Sequence, residues 1–138
     1  MVYANKSDVE PHVKFIDDDV SDDLYTAVLK KADDWVNARL LASSLSIWTL
    51  TPGTDEKPIP SLLNTAAAYY AVSDIVLALY QGEDMLTQYD IWFKKAEDML
   101  TAYITQQTDL LAATELANKN LVKHSKSRSY NQKRGRPY

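Results

Sequence analysis

The sequence predicts an all-α protein: a small antiparallel helical bundle with a long loop and an extended C-terminal tail. Three observations predict it. Only three glycines occur in 138 residues, too few for a turn-rich all-β domain. Apolar residues recur at three- and four-residue intervals through 22–42 and again through 84–107, the period of an amphipathic helix. Between them, Pro60 to Gln81 is apolar on nearly every side, so it needs cover on every side.

Taken in order, Ser7-Asp-Val-Glu10 has the spacing of a capping box, with Ser7 as N-cap and Glu10 reaching back. A short helix over about 8–16 follows, with Val9, Val13 and Ile16 on its apolar side and Pro11 in its first turn, where proline is tolerated. Asp17 to Asp19 break it. Ser21 is the next N-cap, with Asp22 and Asp23 in the first turn, where carboxylates suit the helix dipole. Leu24, Tyr25, Val28, Ala32, Trp35, Val36, Arg39 and Leu40 then mark one face of a helix over 22–42.

From Ser43 to Ile59 the pattern stops. Its first part suits an extended or hairpin arm, and Thr51-Pro-Gly-Thr-Asp-Glu-Lys-Pro58 is turn chemistry. A loop of this length in a compact domain often has a function.

Pro60 suits the start of the central helix, because its missing N–H costs nothing in the first turn. Gly82 suits the stop, in the left-handed conformation. Asn64, Ser73 and Asp74 interrupt a run of barely spanning length, which argues against a membrane span. A central helix flanked by neighbours, some from other subunits, is the reading that remains.

Met85, Tyr89, Trp92, Phe93, Ala96, Met99, Leu100, Tyr103 and Ile104 form the apolar face of a further helix to about 107. Asp109 to Leu121 is weakly helical, and from Lys123 onward nothing can bury a core. The chain therefore divides into a helical domain, 1–122, and a basic tail, 123–138, expected to be disordered.

The charge is segregated. All 19 acidic residues and eight of the Lys and Arg lie in residues 1–118, a balance of −11; residues 119–138 hold seven Lys and Arg and no acid. A globally basic nucleic-acid binder is excluded on that pattern. There is no cysteine, hence no disulfide, thiolate zinc site or thiol nucleophile. Met-Val-Tyr-Ala-Asn-Lys-Ser-Asp lacks the apolar core of a signal peptide, so secretion by that route is not expected.

Catalytic chemistry is not apparent. Set as a calcium loop, Asp17–Asp23 would need Gly at position 22 and Glu at position 28, where the chain has Asp22 and Val28. His12 and His124 lack ligand spacing. No phosphate-binding glycine loop or Gly-x-Ser-x-Gly elbow occurs. No catalytic residue, metal site or cofactor is therefore expected.

Trp35 and Trp92 have core spacing. Tyr69, Tyr70 and Tyr80 share the all-round apolar helix, so at least one is expected at a subunit boundary, which favours tyrosine's apolar body and polar tip. Trp48 stands outside the helical pattern; it either folds back on its own core or anchors a partner. The tail is a solvated extension, a nucleic-acid contact, or a segment that orders on an acidic protein surface.

On these residues the chain resembles the head-to-tail connector, or adaptor, proteins of tailed bacteriophages. The matching runs are Asp8-Val-Glu-Pro-His-Val-Lys-Phe-Ile16, the acidic turn Asp17–Asp23 and Leu24 through Leu40 with its Ala-Asp-Asp-Trp-Val-Asn-Ala-Arg ending. They continue with Ile59-Pro-Ser-Leu-Leu-Asn-Thr-Ala-Ala-Ala-Tyr-Tyr-Ala71 and Tyr89-Asp-Ile-Trp-Phe-Lys-Lys-Ala-Glu-Asp-Met-Leu100. The likeness covers about residues 7–104; loop 43–59 and tail 123–138 fall outside it.

The resemblance implies a non-enzymatic virion protein of the neck, at the head–tail interface, assembled from the host cytoplasm as a ring of about twelve copies that closes through heterologous contacts. Its partners would be the portal and a further neck or tail-completion protein. Genome DNA would pass through the channel without specific binding, and no membrane is involved. An acidic body suits that passage, because basic contacts would hold DNA. The tail would grip the portal through Lys123, Lys126, Arg128, Lys133, Arg134 and Arg136, with Tyr130, Pro137 and Tyr138 as apolar anchors. Tyr69, Tyr70, Tyr80 and Trp48 are the expected subunit-interface residues. Two other classes remain open: an oligomeric helical nucleic-acid-binding protein using the basic tail, and a small helical enzyme or regulator with a ligand cleft.

Overall fold

A computed structural model describes residues 2–17, 19–49 and 58–135, with side chains described as far as Asn120. The turn-rich residues 50–57 lie outside it. Four helices follow in order: α1 (Lys6–Val13), α2 (Asp22–Ala42), α3 (Ser61–Leu79) and α4 (Met85–Gly135). Among the described residues there is no strand, and the fold class is all-α as expected.

The compact body is Met1–Ile104, and Thr105–Tyr138 forms a second unit. In the body, α3 is the centre, with α2 and α1 packed against it. Leu63, Ala66, Ala67, Ala71, Val72, Ile75 and Val76 are fully buried. The alanines are small enough to let neighbouring backbones approach closely. Buried Ser73 is satisfied within the helix, its hydroxyl donating to the Tyr70 carbonyl at 2.6 Å. On length and composition α3 could cross a membrane, but half of that stretch is buried inside the body.

α2 begins where expected, with the Ser21 hydroxyl accepting from the Leu24 N–H at 3.2 Å. Tyr25, Val28, Leu29, Ala32, Val36 and Leu40 form its buried face. Its end holds a conformation the sequence does not advertise. Ser44 is left-handed at φ 58°, its N–H bonds to the Leu41 carbonyl, and the Leu45 N–H reaches back to Leu40. That is the helix-ending motif in which glycine is usual.

Three boundaries differ from the sequence reading. α1 is capped by Asn5, not Ser7: the Asp8 carboxylate accepts from the Asn5 N–H at 2.8 Å. The acid three residues after the cap is the same signal, shifted by two positions. Pro11 consequently sits in the second turn, on an exposed face of the helix. α3 ends at Leu79 with Tyr80 in extended backbone, and Gly82 is not in the left-handed conformation expected of it; a Cβ there would come within 2.6 Å of the Tyr80 ring, which would have to shift. α4 continues to Gly135 rather than about 107. No glycine or proline interrupts 85–134, and the Ala, Leu, Lys and Glu of 109–123 favour helix. Past Ile104 that helix has little to bury: every described side chain from Thr108 to Asn120 is exposed.

The N-terminal arm ties the body together. The Val2 and Tyr3 N–H groups donate to the Asp33 carboxylate at 3.0 and 3.2 Å. The buried Tyr3 ring delivers its hydroxyl to Asn37, and that hydroxyl accepts from the Trp48 N–H at 3.1 Å. The Asn64 amide donates to the Tyr3 carbonyl at 2.8 Å and to Asp8 at 3.1 Å. Burial raises the Tyr3 phenol pKa, with the Trp48 hydrogen bond opposing it.

Two outcomes are expected in denaturant titrations. Tyr3→Phe lowers stability by about 1–2 kcal/mol, because it strands Asn37 and the Trp48 N–H. Ser44→Gly raises it by about 0.5 kcal/mol, whereas Ser44→Val, β-branched at positive φ, lowers it by about 1 kcal/mol.

Candidate functional site

Two surfaces of the body stand out, both built by the packing around α3. The first is a groove of about 270 Å³ between α2 and α3. α2 contributes Leu24, Ala27, Val28 and Lys31; α3 contributes Asp74, Leu77 and Ala78. Its walls are mainly apolar because both helices turn hydrophobic faces toward one another, and it opens where α3 runs beyond its cover. Leu77 is 44% exposed.

Asp74 is the one charged residue of α3. Its Oδ2 is buried with no hydrogen-bond partner. Burial raises the carboxyl pKa, against the pull of the Lys31 ammonium. The negative charge also reaches the Tyr70 and Tyr89 phenols, each raised first by burial and then by Asp74. An apolar groove with an under-satisfied carboxylate favours an occupant that brings a hydrogen-bond donor.

The second surface is aromatic and lies where residues 89–93 of α4 meet α2 and α3. Trp35 and Tyr70 stack at 4.7 Å between centroids, with Phe93 at 6.1 and 6.2 Å from them. Tyr89 stacks on Phe93 at 5.7 Å. Beside this group, His12, Tyr69 and Trp92 form a triangle with centroid separations of 5.4–5.5 Å, and Lys95 Nζ lies 4.5 Å over the Trp92 ring. All seven of these rings are half-buried, so each packs inward yet presents an edge outward. Arg39 and Glu97 pair at 3.0 Å alongside, an exposed contact worth little by itself.

The sequence-derived interface residues therefore have partners in their own chain. Tyr70 is held by Trp35, and Tyr69 by His12 and Trp92. The Tyr80 ring meets Phe15 at 6.2 Å and its hydroxyl donates to Asp84 at 2.7 Å. Trp48 packs against its own core. Trp35 and Trp92, read as core, pack against it while half-buried. Of the tail, Lys123, Lys126, Arg128, Tyr130, Lys133 and Arg134 lie on the α4 backbone with side chains outside the described residues; Arg136, Pro137 and Tyr138 lie outside them altogether. Sequence reasoning singled out Asp74 only as a break in a hydrophobic run; a carboxylate alone on an apolar helix was the signal for the groove.

Comparison with protein-family models, curated proteins and solved structures yields no match.

Asp74 gives the body a pH dependence of definite sign. Its folded pKa lies above the ordinary carboxyl value of about 3.9, so the folded chain holds this proton more tightly than the unfolded chain does. Its contribution is fully present below the ordinary value and is lost as pH rises through the raised one. Unfolding measured across that window should show a smaller decline with pH in Asp74→Asn than in the wild type.

Proposed function

We propose that this chain is a structural virion protein, a head-to-tail connector of a tailed bacteriophage. It forms a ring of about twelve copies beneath the portal, extends the DNA channel and links capsid to tail. Its partners are other copies of itself, the portal and a further neck or tail-completion protein. The genome passes without being held, no cofactor or membrane takes part, and the protein is not an enzyme.

The observation that carries this reading is the separation of charge between the two units. Residues 1–104 have 17 acidic residues against eight Lys and Arg; residues 105–138 have two against seven. A channel wall that carries excess negative charge does not retain DNA. A basic segment on a unit whose described side chains from Thr108 to Asn120 are exposed suits ordering against an acidic protein surface. The order of the body's helices agrees with the resemblance: a helix after an acidic turn, a Pro-initiated Ala/Tyr-rich helix, then a helix opening with aromatics.

The test is deletion of residues 123–138, with binding to the portal and to DNA measured side by side and the portal mixture imaged by electron microscopy. The full chain should decorate the portal as a ring. The shortened chain should lose portal binding and keep whatever weak DNA affinity the body has. Portal binding that survives while DNA affinity collapses would make this an oligomeric nucleic-acid-binding protein, with the tail as its phosphate clamp.

A further inference from the structure

We draw no further inference here: the strongest candidate, the apolar groove between α2 and α3 lined by Leu24, Leu77 and Asp74, is an unpartnered face, and nothing in the structure shows what covers it.

Discussion

The body depends on keeping α3 dry. Over 19 residues this helix has a single charge and no consistently polar face, so water is a poor neighbour for it on any side. Its backbone bonds are satisfied internally, which leaves side-chain cover as the problem the rest of the fold solves. α1 and α2 supply most of that cover, and the rings of Trp92 and Phe93 meet Tyr69 and Tyr70 along another edge. Where the cover runs out, the one charged residue of the helix stands beside exposed Leu77. The groove is thus a product of incomplete enclosure rather than an added feature.

Polar groups are placed to close the structure at its edges. Asn64, near the start of α3, bonds both the N-terminal arm and α1. Tyr3 in turn binds α2 and the segment after it through Asp33, Asn37 and Trp48. These bonds contribute modestly one by one, but each broken partner would leave a partly buried polar group unsatisfied. The arm therefore acts as a clasp on a core whose attraction is otherwise non-directional.

Much of this was legible in advance, for reasons that differ by element. α2 is announced by a serine cap and a clean apolar stripe, and its start and face follow. α1 carries two overlapping capping signals, Asn5 with Asp8 and Ser7 with Glu10; burial of Tyr3 and Ala4 decides between them, and that is tertiary information. Ser44 hides a left-handed turn because the residue lacks the usual signature of one. The length of α4 was obscured because the tail's composition speaks against a core, whereas a helix needs only the absence of breakers and good propensity. Tyr3 was invisible as a hub, since nothing in a terminal tyrosine reveals that three elements converge on it. Asp74, a lone carboxylate on an apolar helix, hinted at the groove, but its position depends on which side of α3 the neighbours leave open.

The buried alanines of α3 carry one further consequence. Ala66, Ala67, Ala68 and Ala71 sit in the core, each with a relative exposure of 3% or less. A larger side chain at such a place has no rotamer that points elsewhere, so the added volume is taken up by shifting a whole helix. That shift would reach the Trp35–Tyr70 stack and the Asn64 bonds together, since all sit on or against the same rod. Variation within this body is therefore one-directional: the outer faces can drift residue by residue, while the central rod can change only in concert with the helices laid upon it.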